Sequence, residues 1–294
     1  MQSVADRVCS SNELAEELKN VPPQKFYKSG MVGLDTLIGE FGEGDFIVIA
    51  GEQKSGKTSL AITLTKLFSS QGIKCLWFSI ELPYQEFFGL FGEKLPLFYV
   101  PRIRDYRTVD WIEKKISEAV EKFGVKMVVI DHLGLVEDEN VWHSTNAFEV
   151  IDARLNRIRD LALKHRVCLI GISETNKASM LKSSKSKQAE PHTSDLRGTA
   201  RLGYTASTIL KVERLTGINK TRIWQDELEN NVFIKTDMWI YVLDCRRTGA
   251  RKIKIRCYMN DNDDICEYKK DGTLEAPEEE FKDNGFIPKP EPSL

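Results

Sequence analysis

A glycine-rich stretch near residue 50 has the residue types and the spacing of a phosphate-binding loop. Residues 51–58 fit the pattern G-x-x-x-x-G-K-[ST] in full. In such a loop the glycines let backbone N–H groups surround the phosphates, and the following helix N-terminus adds a favourable dipole. Lys57 would neutralise charge on the β- and γ-phosphates, and the Thr58 hydroxyl would bind Mg²⁺. The sequence therefore predicts an ATP and Mg²⁺ site formed by Gly51, Glu52, Gln53, Lys54, Ser55, Gly56, Lys57, Thr58 and Ser59.

Two carboxylates end apolar segments that are typical of buried strands. Residues 127–130 are apolar and are followed by Asp131, and a second apolar segment ends at Glu81. Ligands of open α/β sheets collect at the carboxyl ends of the strands, so Asp131 is the candidate that organises Mg²⁺ together with Thr58. Glu81 could polarise the water that attacks the γ-phosphate. The alternative for Glu81 is an ordinary acidic residue that caps the next helix.

An alternation of strands and helices has to bring these residues together. The strand candidates are residues 46–50, 74–80, 126–130 and 167–172, and the helix candidates are residues 58–68, 109–123 and 148–164. This alternation predicts an α/β domain with a mainly parallel central sheet flanked by helices. After Thr193 the apolar segments are joined by short turns, which predicts antiparallel hairpins at the C-terminal end of the sheet.

The long helix candidate at residues 148–164 carries arginines among its apolar positions. Ile151, Leu155, Ile158 and Leu161 have the spacing of a buried face, whereas Arg154, Arg157 and Arg159 lie between them. We expect these arginines to face solvent or a neighbouring subunit.

Composition limits the classes of function that the chain can have. Its 294 residues contain 42 Lys and Arg against 44 Asp and Glu, a formal net charge of −2, so nucleic acid would need a local basic patch. No apolar run approaches the ~20 residues of a membrane helix, and the first residues lack the core of a signal peptide. The 6 cysteines form no CxxC pair. We therefore expect a cytoplasmic protein with reduced, buried thiols and no membrane contact.

The same patterns divide the chain into three regions. Residues 1–28 hold a short helical stretch that Pro22 and Pro23 end, and residues 29–268 hold the α/β domain. Residues 269–294 are rich in acidic residues and proline, which predicts a solvated, disordered tail.

Six short segments, in order along residues 29–268, resemble the motifs of one known family. They are residues 29–37 with Gly44 and Asp45, residues 78–82, 130–135, 173–177, 194–197 and 247–249. These segments resemble the "TG…LD…G…GD", "FSLEM", "IDYLQLM", "SQLNR", "SDLR" and "KxRNG" motifs of DnaB-type hexameric replicative helicases. The resemblance implies a RecA-like P-loop NTPase fold and ATP-driven movement on single-stranded DNA in DNA replication.

The resemblance also implies roles for single residues. Glu81 matches the catalytic glutamate, and Arg247 matches the arginine finger that reaches the nucleotide of the neighbouring subunit, although Arg246 is a close competitor. Glu174 stands where the family has a sensor glutamine, and Cys245 stands where it has a lysine. The implied assembly is a homo-oligomeric ring, a hexamer, with primase or a loader as separate chains.

The resemblance places the DNA-facing loops after the third and fourth strands. The second loop, residues 177–188, has no acidic residue and carries Lys177, Lys182, Lys185 and Lys187. Flexible lysines contact phosphates without reading bases, which suits a translocating motor. The alternative is a solvated connection. The first loop, residues 136–146, is acidic but contains Trp142 and His143, which could approach a base.

Two other functions share this set of residues. One is a RecA- or RadA-like recombination ATPase, which would form open filaments. The other is a helicase-derived ATP-binding regulator or assembly factor without unwinding activity, which the substitutions at Glu174 and Cys245 would favour.

Overall fold

A nine-stranded sheet with helices on both faces forms the body of the protein. The structure, a computed structural model, describes residues 8–92, 94–103, 106–138, 147–174, 202–215, 222–225, 231–268 and 287–288. The helices are α1 Ser11–Lys19, α2 Val32–Ile38, α3 Lys57–Ser70, α4 Tyr84–Gly89, α5 Val109–Phe123, α6 Ala147–His165 and α7 Leu202–Thr205, with a 3₁₀ turn at Leu133–Leu135. The strands are β1 Phe26–Tyr27, β2 Phe41–Gly42, β3 Phe46–Gly51, β4 Cys75–Ser79, β5 Lys94–Leu95, β6 Met127–Asp131, β7 Cys168–Glu174, β8 Thr208–Arg214, β9 Arg222–Gln225, β10 Asn231–Cys245, β11 Ile253–Asn260, β12 Ile265–Glu267 and β13 Ile287–Pro288.

The sheet is parallel at its centre and antiparallel at its C-terminal end. Its strand order is β12-β11-β10-β8-β3-β7-β6-β4, and β9 pairs with β10. Strands β8, β3, β7, β6 and β4 are parallel neighbours. Strands β9 to β12 are added as antiparallel hairpins. The predicted α/β class, with a mainly parallel sheet and C-terminal antiparallel hairpins, is confirmed.

Strand β3 is buried on both faces because each face of the sheet is covered by helices. Ile47 and Ile49 join the apolar core on the side of α2, α3 and α4. Phe46, Val48 and Ala50 join the core on the side of α5 and α6. The unbroken apolar run of β3 thus fixes its central position, and the phosphate-loop segment leaves from the carboxyl end of this rigid strand.

The C-terminal end of the sheet is tied to the N-terminal part of the domain. The buried carboxylate of Glu267 in β12 accepts hydrogen bonds from the backbone N–H groups of Gly33, at 2.6 Å, and Leu34, at 2.8 Å. These donors lie in the first turn of α2, where a helix has N–H groups without intrahelical acceptors. One carboxylate therefore holds α2 against the antiparallel strands.

The prediction for the arginines of α6 is wrong for two of the three residues. Arg154 donates to the carbonyl oxygen of Val136 at 2.6 Å, and Arg157 pairs with both Asp110 and Asp138. The Asp138 side chain is 0% exposed, and a buried carboxylate requires a cationic or hydrogen-bonding partner. These arginines therefore anchor the segment that comes after β6. Arg159 does face solvent beside Asp160.

The structure also bears on the predictions for the cysteines, for a membrane helix and for the C-terminal tail. All six cysteines are free, and four of them, Cys75, Cys168, Cys245 and Cys257, are buried, as predicted. No helix in the described part of the chain is long and apolar enough to cross a membrane. Of the predicted tail at residues 269–294, the structure describes only β13, which pairs antiparallel with β5.

Candidate nucleotide-binding site

The predicted phosphate loop connects β3 directly to α3. Gly51 is the last residue of β3, and Lys57 is the first residue of α3. A Cβ atom on Gly51 would lie 2.5 Å from the Ser55 hydroxyl oxygen and 2.6 Å from the carbonyl oxygen of Val212. Both distances are too short for any side chain, so this loop requires glycine where it leaves the sheet.

Lys57 lies buried over the loop that precedes it. Its Nζ donates a hydrogen bond to the carbonyl oxygen of Glu52 at 2.7 Å. Burial lowers the pKa of the Lys57 ammonium group, and the carboxylates of Glu174, Asp131, Glu81 and Glu52 act in the opposite direction. The structure therefore brings the predicted residues Lys57, Glu81, Asp131 and Glu174 close enough to share one electrostatic environment.

Asp131 and Thr58 form a hydrogen-bonded pair across the gap between β6 and α3. The Thr58 hydroxyl donates to Asp131 Oδ2 at 2.9 Å. Burial raises the pKa of the Asp131 carboxyl group to about 6, and the Glu81 charge adds to this rise, whereas the Thr58 hydroxyl and Lys57 oppose it. A nearby cation would stabilise the charged form of this buried carboxyl group.

The donor set at this pair fits Mg²⁺. The second carboxylate oxygen, Asp131 Oδ1, is buried and has no hydrogen-bond partner among the described residues. Mg²⁺ prefers oxygen ligands and is usually bound by one or two carboxylates, water and substrate phosphates. The Ser55 hydroxyl is likewise buried without a partner within the described ranges. Thr58 and Asp131 could thus hold the metal, and the loop retains polar capacity for phosphate oxygens.

Glu81 and Glu174 lie at the same edge of the sheet as the loop. Ser79, the last residue of β4, is paired with Asp131, and the N–H of Glu81 donates to the Asp131 carbonyl oxygen at 3.2 Å. Glu174, the last residue of β7, is paired with Gly51. Both carboxylates therefore face the region beyond the carboxyl ends of the strands, where the sequence placed them.

Arg247 lies at the opposite edge of the sheet. Cys245 at the end of β10 is paired with Thr208, and Thr208 is also paired with Ile47 near the amino end of β3. Arg247 comes two residues later, in the turn between β10 and β11, so it cannot reach the phosphate loop of its own chain. Its competitor Arg246 donates to the carbonyl oxygen of Tyr204 at this edge.

Sequence reasoning missed the residues that contact Arg247. Its guanidinium group pairs with Asp45 and lies over the Phe26 ring, with Arg247 Cζ 4.4 Å from the ring centroid. Asp45 belongs to the first of the resembling motifs, but no spacing in the sequence connects it with residue 247. The predicted DNA-contacting lysines, Lys177, Lys182, Lys185 and Lys187, lie outside the described residues.

The chain is similar to known proteins in sequence and in fold. No protein-family model matches the chain. The chain is 23% identical over 260 residues to the replicative DNA helicase DnaB of Mycoplasma pneumoniae (strain ATCC 29342 / M129 / Subtype 1), an alignment that covers 76% of the chain and 53% of that protein. The chain thus spans about half the length of the curated relative that it matches.

Two solved structures share the fold at lower sequence identity. One, an ATPase domain, superimposes with a TM-score of 0.70 at 16% identity, covering 90% of this chain and 100% of that domain. The other, a DnaB-like replicative helicase solved in a study of its interactions with primase, gives a TM-score of 0.67 at 17% identity, covering 88% and 67%. The chain has the fold of a DnaB-type ATPase domain. The resemblance to DnaB-type replicative helicases is therefore confirmed. The predicted phosphate loop, Asp131, Glu81 and Glu174 lie at one edge of the sheet, and Arg247 lies at the other.

Proposed function

We propose that the chain is an ATP- and Mg²⁺-dependent motor of the DnaB type, which hydrolyses ATP and translocates on single-stranded DNA in DNA replication. The observation that carries the proposal is the Thr58–Asp131 pair, 2.9 Å apart, beside the buried amine of Lys57. Phosphoryl transfer requires a loop that binds the phosphates, a hydroxyl and a carboxylate that bind a hard cation, and a lysine that neutralises the terminal phosphates.

Each residue of this edge has a defined task in the proposal. Lys57 neutralises the terminal phosphates, and Thr58 and Asp131 hold Mg²⁺, which when bound supplies positive charge to the β- and γ-phosphate oxygens. Glu81 accepts a proton from the attacking water or orients it. Glu174 stands at the position of the family's glutamine. It is close enough for its negative charge to raise the pKa of the Lys57 ammonium group, against the effect of burial.

The location of Arg247 supports an assembled motor. Because Arg247 lies at the edge opposite its own phosphate loop, it can complete a nucleotide site only in another copy of the chain. A homo-oligomeric ring, a hexamer in the proposal, satisfies this requirement for every subunit. Lys177, Lys182, Lys185 and Lys187 would contact the DNA backbone in the ring, which would act in the cytoplasm with primase or a loader as separate partners.

An ATPase assay tests the proposal. We expect Mg²⁺-dependent turnover that single-stranded DNA stimulates, and we expect Lys57→Ala to lower turnover by at least ~100-fold because the phosphates lose their main cationic partner. Lys122→Ala, at an exposed position of α5, is the matched control and should retain wild-type turnover. Wild-type protein that binds no ATP, or Lys57→Ala protein that turns over normally, would contradict the proposed motor.

One observation favours a second candidate, the ATP-binding regulator. Cys245, at the position of the family's lysine, is buried with 1% exposure and hydrogen-bonds to the Ile38 carbonyl oxygen, so it supplies no charge to a neighbour. The same assay combined with electron microscopy separates the candidates. DNA-stimulated rings support the motor, open filaments support a recombination ATPase, and an ATP-bound but unstimulated monomer or dimer supports the regulator.

A further inference from the structure

The Arg247 side chain occupies a site formed by the N-terminal part of the domain. Its Nη2 donates to Asp45 Oδ2, and one face of the guanidinium group lies on the Phe26 ring, 4.4 Å from the centroid. Asp45 immediately precedes β3, and Phe26 is in β1, so both contacts come from segments more than a hundred residues away in the sequence. We call Phe26, Gly39, Gly42 and Asp45 the arginine socket.

The two glycines of the arginine socket lie close against Arg247 and leave little room for a side chain of their own. A Cβ atom on Gly42 would lie 2.6 Å from Arg247 Nη2, and one on Gly39 would lie 3.2 Å from Arg247 Cδ. The Cβ atom on Gly42 would also lie 2.8 Å from Phe26 Cε1 and 2.9 Å from Asp45 Oδ2, so a larger residue at position 42 would disturb all three side chains. The backbone of the strand-loop segment is therefore shaped around a fixed position of Arg247.

The turn that carries Arg247 is also fastened to the end of α2. The Thr248 hydroxyl donates to the Leu37 carbonyl oxygen at 2.6 Å, and the Cys245 thiol lies 3.5 Å from the Ile38 carbonyl oxygen. Residues on both sides of Arg247 are thus held to the same segment. The backbone position of the arginine is set together with the position of its side chain.

The contacts of the guanidinium group orient it but do not engage all of its N–H donors. Its side chain is 30% exposed, and Asp45 is its hydrogen-bond acceptor within the described residues. Arginine has five N–H donors, so donors remain after one contact. Arg247 also lines a cavity of about 690 Å³ at the amino edge of the sheet, together with Arg246, Ser207 and Thr208. The partly exposed Arg247 side chain therefore borders this cavity.

We propose that Asp45 and Phe26 are positioning residues that hold Arg247 ready to act on the nucleotide of an adjacent subunit. The inference rests on the proposed function, because it requires Arg247 to act between subunits. A charged group that stabilises a transition state is most effective when neighbouring groups fix its orientation beforehand, since no reorganisation is then needed during the reaction. The arginine socket provides that orientation, and its residues Phe26, Gly39 and Asp45 line the same cavity as Arg247.

The first test is Asp45→Asn in the assembled protein. We expect kcat to fall about tenfold with little change in the KM for ATP, because a loosened arginine weakens the transition state and not ATP binding. Phe26→Leu, at a 44% exposed position, should fold normally and lower kcat about threefold through loss of the cation–π contact. Asp244→Asn is the matched control, since Asp244 pairs with Arg251 on the same hairpin and does not contact Arg247.

A mixing experiment separates positioning from damage within the altered subunit. Asp45→Asn subunits are mixed before assembly with Lys57→Ala subunits, which have no active site of their own but carry an intact Arg247. If Asp45 acts through Arg247, turnover of the mixture will exceed the sum of the two separate activities, because intact arginines complete the Asp45→Asn sites. A mixture that shows only the sum would overturn the inference.

The outcomes distinguish this inference from the proposed function. Wild-type kcat in Arg247→Ala rings would remove the role of Arg247 itself, and the inference with it. Loss of activity in Arg247→Ala but not in Asp45→Asn would overturn only the positioning role. Higher activity in Asp45→Asn would also overturn it, because the socket would then restrain the arginine away from its target. The variant that combines Asp45→Asn with Arg247→Ala should have a kcat no lower than that of Arg247→Ala alone.

Discussion

At the scale of single residues, the site depends on a carboxylate that is held in an unfavourable environment. Asp131 is 4% exposed, accepts one hydrogen bond from Thr58, and has a pKa raised to about 6 by burial and by Glu81. In the unfolded chain this carboxyl group would have an ordinary pKa near 3.8. The protein therefore keeps the oxygen that we propose binds Mg²⁺ at a cost in stability, a common property of functional sites.

The Asp131→Asn variant should be more stable than the wild type at neutral pH when no ligand is bound. Because the folded pKa is raised, the folded state holds a proton that the unfolded state has lost, and stability falls as pH rises from about 4 to about 6. Above that range the charged carboxylate costs about 3 kcal/mol, which the asparagine avoids. Calorimetry should show a higher Tm for the variant at pH 7.5 and a gap that closes towards pH 4.

Two controls make this prediction specific. Asp160→Asn changes an exposed aspartate that pairs with Arg159, and it should show no pH-dependent gap. Mg²⁺ with ATP should raise the Tm of the wild type and have much less effect on Asp131→Asn, because the metal loses its carboxylate ligand. Identical pH profiles of stability for Asp131→Asn and the wild type would show that folding does not raise the pKa of Asp131.

At the scale of elements, periodicity in the sequence predicts the strands and helices but not the contacts that join distant segments. The meeting of Asp131 and Glu81 could be predicted, because each ends or follows a buried strand and the carboxyl ends of parallel strands share an edge. Glu174 is identified only through the family resemblance. The pairing of Arg157 with Asp138 could not be predicted, since an arginine between apolar positions is equally typical of an exposed helix face. The contact between Asp45 and Arg247 spans 202 residues and leaves no trace in local patterns.

Glu267→Gln tests whether β12 secures α2. The variant retains the shape of the side chain but loses the charge that strengthens two hydrogen bonds to helix N–H groups, so we expect a loss of about 1–2 kcal/mol. Urea unfolding would show this as a lower midpoint with an unchanged slope. Glu16→Gln, in an exposed pair with Lys19, should change stability by less than ~0.5 kcal/mol. Equal midpoints for the two variants would contradict the anchoring role.

At the scale of the whole molecule, charge is distributed unevenly along a chain that is nearly neutral overall. The net charge of −2 gives no general attraction to DNA, whereas residues 177–188 concentrate four lysines without an acid. If these lysines bind the phosphates, the affinity for DNA should fall with salt concentration at a slope that the number of contacting lysines sets. DNA affinity would therefore belong to one segment of each subunit and would grow with the number of subunits that engage one strand.

Replacing Lys182, Lys185 and Lys187 by alanine tests this assignment. Each lysine that contacts a phosphate of single-stranded DNA contributes about 0.7 to the slope of log K against log salt concentration, so the slope should fall by about 2. Fluorescence anisotropy with oligo(dT) at several salt concentrations measures it. The matched control replaces three exposed lysines elsewhere, Lys19, Lys114 and Lys122, and should leave the slope unchanged. Equal slopes for the two triple variants would exclude the loop as the DNA contact.

Strand β3 connects the two regions of the proposed function. Gly51 at its carboxyl end opens the phosphate loop, and Asp45, just before its amino end, holds Arg247. Six residues of strand span about 20 Å, and a strand buried on both faces moves as a unit rather than bending. In the proposed ring, β3 would connect the ATP site of its own subunit to the arginine that acts on the ATP of the next subunit. If release of phosphate shifted β3, it would also shift the arginine, and hydrolysis in neighbouring subunits would be coupled instead of independent.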